Sequence, residues 1–330
     1  MNLSQPVSTL VVQPLPGIGD MVWHLPHLHA IAATARDGRV DVLTKPRSQA
    51  DRLLGADPAI GRILWLDRST QHRGLQGVLR LAALLRQGGY QRVWVLHGSA
   101  RYALAAWLAG IPLRIGYGGG QRLRLLNMPV RLPPAPPATH PIVRANALLD
   151  ALQIARAEPE PRLSIDPAAA HAIAQRFAAW PRPWIALGIG SSEPWKQWGA
   201  ARFAELAVAL HARRAGSLFI VGGPAERPLA DALFAQLGAT GIMAADAVAL
   251  PLEQTVALLA ACRAYLGNDT GVLNVAAAVA VPALGLFGAS PPLTHSRWIH
   301  ALQPPAGQQG MAAISVAHVL AAFTRLDESG

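Results

Sequence analysis

The sequence predicts an α/β protein made of two successive Rossmann-like domains, each a parallel sheet flanked by helices. Three observations carry this. Short apolar or β-branched runs alternate with stretches of helical periodicity along the whole chain. The pattern stops in proline-rich segments near the middle and then restarts. Finally, 330 residues with 52% hydrophobic and 15% charged side chains suffice for two sizeable cores.

In the first half, residues 9–13 form an apolar run that leads into a Pro/Gly turn at 14–19 and then a helical stretch at 21–33, with Pro26 inside it. Further strands are expected at 40–44, 63–66 and 92–96, with helices at 75–86 and 101–108 between them. The stretch 132–141 carries too many prolines for a helix or a central strand. A helix at 143–154 follows, and a second polar, proline-bearing segment at 156–162 places the linker near 155–165. The second half repeats the pattern, with strands at 184–187, 217–221, 241–243, 264–266 and 283–287 and with helices at 200–214 and 252–262. The expected domains are therefore 1–155 and 156–312. A last helix at 314–326, within 313–330, follows a loose loop and could pack on either domain, including back on the N-terminal one. No fixed-period repeat is present, which excludes a solenoid.

Composition narrows the function classes. The single cysteine, Cys262, excludes an internal disulfide and is expected to be a small buried residue. The first ten residues place no basic residue ahead of an apolar run, so no secretory signal is expected and the protein should be cytoplasmic. The most apolar stretch, 275–287, is broken by Pro282 and Gly285 and falls short of the roughly 20 residues a spanning helix needs. The net charge of +10 is unevenly placed: residues 1–150 hold 17 Lys and Arg against seven Asp and no Glu, whereas residues 151–330 hold 12 against 12. Such asymmetry implies a polyanionic partner for the N-terminal half, or else simply solvated arginines. No dense basic run or recognition module argues for nucleic acid.

The densest chemical constellation is Leu266-Gly-Asn-Asp-Thr-Gly-Val-Leu-Asn274, where a strand delivers Asn268, Asp269 and Thr270 to a helix beginning at Gly271. Helix N-termini present unpaired N–H groups and partial positive charge, which suits a phosphate. Thr270 can cap that helix, and Gly271 lets a ligand approach the backbone. A second segment, Leu187-Gly-Ile-Gly-Ser191-Ser192-Glu-Pro-Trp-Lys196-Gln-Trp198, again follows a strand. Lys196 is one of only two lysines among 27 arginines, the other being Lys45, so it is a candidate for a role that favours a compact ammonium, such as binding a pyrophosphate. A third, Phe219-Ile-Val-Gly-Gly-Pro-Ala-Glu226, ends in a carboxylate that either accepts from a ribose or is a solvated helix-end charge. In the first half, Gly17-Ile-Gly19-Asp20 lacks the third glycine of a dinucleotide fingerprint, since Val22 stands there. Asp20 is instead available as a general base. There is no P-loop, no H-E-x-x-H or Cys/His spacing among the eleven histidines, and no G-x-S-x-G. No metal or cofactor is expected.

Taken together, these segments resemble glycosyltransferase family 9, the lipopolysaccharide heptosyltransferases. The resemblance rests on Gly17 to Asp20 with Pro26 and Leu28, on Ala109-Gly-Ile-Pro-Leu-Arg-Ile-Gly-Tyr117, on Gly190 to Trp198, on Gly222-Gly-Pro-Ala-Glu226, and on Asp269-Thr-Gly with its alanine-rich helix and Val281-Pro282. It implies a GT-B fold, with two Rossmann-like domains facing each other across a cleft, the N-terminal one for the acceptor and the C-terminal one for a nucleotide sugar. By that pattern Asp20 deprotonates the acceptor, with Gly19 beside it. Lys196, Ser191, Ser192, Thr270 and Gly271 hold the diphosphate, Glu226 the ribose, and Asp269 the donor sugar, with Asn274 also in the donor site. The implied partners are ADP-heptose and an anionic glycolipid at the inner membrane face, met by Arg101, Arg114, Arg122 and Arg124. One position departs from the family: a histidine usually stands where this chain has Asn274, which cannot carry positive charge. Three rival readings follow: a transferase with another donor, a nucleotide-sugar epimerase, and a catalytically degenerate glycolipid-binding assembly factor.

Overall fold

The structure is a computed structural model that describes residues 3, 5–67, 69–118, 122–133, 140–191, 193–213, 216–288, 290–292 and 295–328. The chain divides into two compact units, Met1–Pro161 and Arg162–Gly330.

The first unit runs β1 (Thr9–Val12), α1 (Ile18–Ala32), β2 (Val40–Thr44), α2 (Ala50–Leu54), β3 (Ile60–Trp65), α3 (Gly74–Gln87), β4 (Arg92–Val95), α4 (Ala100–Leu108), β5 (Leu113–Tyr117), α5 (Arg122–Leu125), β6 (Met128–Val130) and α6 (Pro141–Ala151). Its six strands are all parallel in the order β3-β2-β1-β4-β5-β6. Leu10, Val12, Val93 and Val95 of the central strands pack against Leu81 and Leu85 of α3 and against Tyr102 and Ala106 of α4. Strands covered on both faces read as unbroken apolar runs, which is why β1 and β4 stand out in the sequence. Helix α1 starts three residues before the expected Met21, because the Asp20 carboxylate accepts a hydrogen bond from Gly17 N at 3.0 Å and organises its first turn.

The second unit runs α7 (Pro167–Arg176), β7 (Trp184–Gly188), α8 (Ala200–Ala212), β8 (Ser217–Gly222), α9 (Arg227–Thr240), β9 (Ala244–Val248), α10 (Leu252–Ala261), β10 (Ala264–Asn268), α11 (Gly271–Ala278), β11 (Ala283–Leu286), β12 (Ile299–Leu302) and α12 (Val316–Glu328). Its sheet is again parallel and six-stranded, in the order β12-β11-β10-β7-β8-β9. Helix α12 packs on α8 and adds Val319 and Phe323 to the core of its own unit. Cys262 is buried in the same unit, and burial pushes its thiol up to about 12.

One strand lies elsewhere than the sequence suggests. Residues 241–243 are not β9. Gly241 ends α9 in the left-handed region at φ 72°, Ile242 N closes the helix onto Leu237 O, and the strand begins at Ala244. Its small residues, Ala-Ala-Asp-Ala-Val, give no apolar run for a pattern search to find. Strands β5, β6 and β12 are not among those expected from the sequence, and of these β6 and β12 are edge strands. These two each pair on one side only, and β6 contains Pro129, which an edge strand tolerates.

Both sheets change direction between their first and fourth strands, β1/β4 in one unit and β7/β10 in the other. In open α/β sheets, ligands bind beyond the carboxyl ends of the strands at such switch points.

Candidate active site

In the second unit the switch point is built from the ends of β7, β8 and β10. Gly188 and Gly267 are register partners across β7 and β10. A Cβ on either would collide with the phenol of Tyr265, so the two glycines make room for that fully buried ring. Beyond them, Asn268 is also fully buried. Its Nδ2 donates to Ile189 O at 3.1 Å, Gly190 O at 3.0 Å and Gln197 Oε1 at 3.0 Å. Gln197 Nε2 in turn donates to Ile189 O at 2.9 Å. This network ties the end of β10 to the loop after β7.

That loop carries Lys196, in a 3-10 turn over Pro194–Lys196. Its Nζ lies 3.2 Å from Asp269 Oδ2 and 3.3 Å from Glu193 Oε2, and Ser290 Oγ donates to the same Asp269 oxygen at 2.6 Å. Burial disfavours the ammonium, but Asp269 and Glu193 outweigh it, and the Lys196 pKa lies above its ordinary value. A cation is therefore fixed beside the N-terminus of α11. Thr270 occupies the N-cap position of that helix, but its side chain makes no capping hydrogen bond, contrary to the expectation from sequence. The amides of the first turn, from Gly271 onward, have no intrahelical acceptor. One turn along, Asn274 is buried, and its Oδ1 has no hydrogen-bond partner among the described residues.

Glu226 comes from the end of β8. Its Oε2 accepts from Gly223 N at 2.8 Å, and its carboxyl group stands against Gly190, where a Cβ would lie 3.6 Å from Glu226 Cδ. Ser191 Oγ donates to Glu193 O at 2.7 Å. Ser192 lies outside the described residues. Loops from three strands thus bring together Ser191, Lys196, Glu226, Asp269, Thr270, Gly271 and Asn274. Among the described residues, no group of three His, Cys, Asp or Glu side chains is placed to hold a metal ion.

In the first unit, Asp20 and Gly19 lie in the first turn of α1, at the carboxyl end of β1. Asp20 is partly exposed, and its backbone carbonyl accepts from His24 Nδ1 at 2.7 Å. With Nδ1–H committed there, the buried His24 Nε2 has no partner. Burial lowers the His24 pKa to about 4, against weaker support from Asp20, so the ring is neutral near pH 7. The proposed acceptor arginines divide. Arg101 donates to the carbonyls of Gly74 and His72, and Arg114 to those of Leu125 and Ile111, while Arg124 is exposed. The Arg122 side chain lies outside the described residues.

The comparisons decide the family. The model of glycosyltransferase family 9 (heptosyltransferase) matches residues 78–309, well over half of the chain. The chain belongs to glycosyltransferase family 9. It is 31% identical over 232 residues to lipopolysaccharide heptosyltransferase 2 of Salmonella typhimurium, a match that spans 66% of each chain. Among solved structures, it is similar to a family 9 glycosyltransferase from Veillonella parvula, with a TM-score of 0.82 at 19% identity over 99% of both chains. It is also similar to the ADP-heptose lipopolysaccharide heptosyltransferase II of E. coli, with a TM-score of 0.77 at 24% identity over 98% of this chain and 100% of that one. The two six-stranded parallel sheets are those of the GT-B fold.

For this family 9 member, sequence reading did not find Ser290, Asn268, Gln197 or His24. Asn268 stood inside a quoted motif, but its partner Gln197 is 71 residues away, and no spacing rule connects them. Ser290 follows β11 and carries no local signature.

Proposed function

We propose that this family 9 protein is an inverting, metal-independent glycosyltransferase that moves heptose from ADP-heptose to an anionic glycolipid such as a lipopolysaccharide core. The observation that carries the reading is Lys196, held 3.2 Å from Asp269 at the N-terminus of α11. A fixed ammonium and a helix N-terminus are what a departing diphosphate needs as its charge develops, and together they can replace a metal ion. The name of the similar E. coli structure, ADP-heptose lipopolysaccharide heptosyltransferase II, supports ADP-heptose.

In this reading the second unit binds the donor. Lys196, Ser191, Ser192, Thr270 and Gly271 hold the diphosphate, Glu226 the ribose, and Asp269 the sugar, with Asn274 also in the donor site. The first unit binds the acceptor, with Asp20 and Gly19 at the reacting hydroxyl and with Arg101, Arg114, Arg122 and Arg124 supplying positive charge. The Asp20 carboxylate takes the hydroxyl proton, the acceptor oxygen forms a bond to the anomeric carbon, and the carbon–oxygen bond to the diphosphate breaks, releasing ADP with inversion. The protein works in the cytoplasm, at the inner face of the membrane that carries the acceptor.

A second reading, transfer of a different sugar, is favoured by Asn274. Its neutral amide stands where the family usually has histidine, and its Oδ1 is unpartnered. Calorimetric titration with ADP, UDP and GDP, each with and without EDTA, tests the donor site. ADP preference that survives chelation supports the proposal. Binding of none of the three nucleotides favours a degenerate glycolipid-binding protein.

A further inference from the structure

Residues 68–149 contain eleven arginines, no lysine and no acidic residue. This acid-free stretch supplies α3, α4 and α5 of the first unit, and α6 up to Asp150. Helix α3 is its most unusual part. The inner face, Val78, Leu81, Ala82 and Leu85, is buried in the core, yet the outward face carries two further leucines one turn apart. Leu75 is 71% exposed and Leu79 53% exposed. Arg73, Arg80 and Arg86 are exposed around them, and none is ion-paired among the described residues. On the neighbouring α4, which packs along α3, Trp107 is 52% exposed.

A solvent-facing helix normally shows polar residues on its outer side. Single exposed apolar residues need no explanation, but leucines framed by arginines that have no ion-pair partner among the described residues, two of them held by the carbonyls of Gln71 and Leu108, on a helix from an acid-free stretch of chain and with a tryptophan on the adjoining helix, match the chemistry of an anionic bilayer. Apolar side chains enter the interfacial layer, arginines meet lipid phosphates, and tryptophan prefers the boundary. Direction fits as well. Because α3 follows β3, its first turn lies at the carboxyl end of the sheet, the end that presents Asp20. Arg101, in the first turn of α4, holds that turn through the carbonyls of His72 and Gly74.

We propose that the outer face of α3, extended by Trp107 of α4, docks the first unit onto an anionic lipid bilayer, so that its acceptor end lies at the membrane surface. The inference rests on the proposed lipid-linked acceptor for its purpose, and the experiment keeps the two apart. The full chain is sedimented with vesicles of equal parts phosphatidylethanolamine and phosphatidylglycerol, and with phosphatidylcholine vesicles. The wild-type chain binds the anionic vesicles at least about tenfold more tightly than the zwitterionic ones. Leu75→Ser with Leu79→Ser weakens that binding about tenfold or more, as does Arg73→Gln with Arg80→Gln. Met243→Ser, which alters a 75% exposed apolar side chain in the second unit, leaves it unchanged. Equal binding by the leucine variant, or equal binding to both kinds of vesicle, overturns the proposal. So does a dimer of the wild-type chain that the leucine variant dissolves, which would assign the surface to a second copy. ADP titration runs alongside: vesicle binding that persists without ADP binding supports this surface while sinking the transferase reading.

Discussion

Replacing Lys196 with alanine should weaken ADP binding by about 10- to 100-fold, because a hydrogen bond to a charged group contributes about 1.5–3 kcal/mol and each 1.4 kcal/mol is tenfold in affinity. The figure is not larger, because the ammonium in the free protein is already shared. It sits 3.2 Å from Asp269 and 3.3 Å from Glu193, so the cluster carries one positive and two negative charges. A diphosphate that takes the third N–H of the ammonium is repelled by both carboxylates, so the more mobile of them is expected to swing away. Glu193 is the one to yield, with a side chain 40% exposed against 15% for Asp269, which Ser290 also holds at 2.6 Å. Glu193→Gln should therefore tighten ADP binding by up to about fivefold, the worth of an exposed ion pair. The fold should survive Lys196→Ala: Asp269 keeps its bond from Ser290, and the loss is about 1 kcal/mol of stability. Calorimetric titration in EDTA reads the affinity, and thermal melting checks the fold. An ADP affinity within about twofold of wild type, in a variant that melts normally, refutes the assignment of Lys196 to the diphosphate.

Three further outcomes are expected. Asp20→Asn should retain ADP binding and lose about 100-fold or more in transfer, the usual worth of a general base, as read by ADP release with acceptor present. Stability should fall with acidity through the His24 site. Its folded pKa of about 4 lies below the ordinary 6.5, so the neutral ring's contribution is complete above pH 6.5 and is lost as pH falls towards 4, roughly 3 kcal/mol in all, and His24→Gln should lessen the slope of the melting-temperature profile over that window without abolishing it, since burial also lowers the neighbouring His27 to about 3. Gly188→Ala should cost about 1–3 kcal/mol in denaturant unfolding, because its methyl group meets the buried Tyr265 phenol.

What could be read from the sequence, and what could not, follows from where each signal resides. The central strands β1, β4, β7 and β8 are buried on both faces and appear as apolar runs. Strand β9 does not, because its alanines are strand-neutral and its position depends on where Gly241 stops α9. The residues proposed for the donor are conspicuous in the sequence because they lie at strand ends, where a lysine in an arginine-rich chain or an Asp-Thr-Gly before a small-residue helix stands out. Their supports are not, since Asn268 meets Gln197 only after β7 and β10, far apart in the chain, pair side by side, and Ser290, which donates to Asp269, has no local signature. The roles of Arg101 and Arg114 were hidden for a similar reason: their charge was plain in the sequence, but the carbonyls that occupy their guanidinium groups were not.

The uneven charge of the two halves implies that ionic strength should separate their functions. In the second half, 12 cationic residues balance 12 anionic ones, and the proposed donor contacts are one lysine and one helix N-terminus. Contacts of that kind are partly buried and are screened weakly by salt. The first half bears all of the excess charge, spread over exposed arginines, and acts through a field that extends over about one Debye length, roughly 10 Å at 0.1 M salt and 3 Å at 1 M. Raising salt across that range should therefore release the protein from anionic vesicles while changing its ADP affinity far less. Parallel losses in the two assays would mean that the arginine field also governs the donor site, and that the division of labour between the units is wrong.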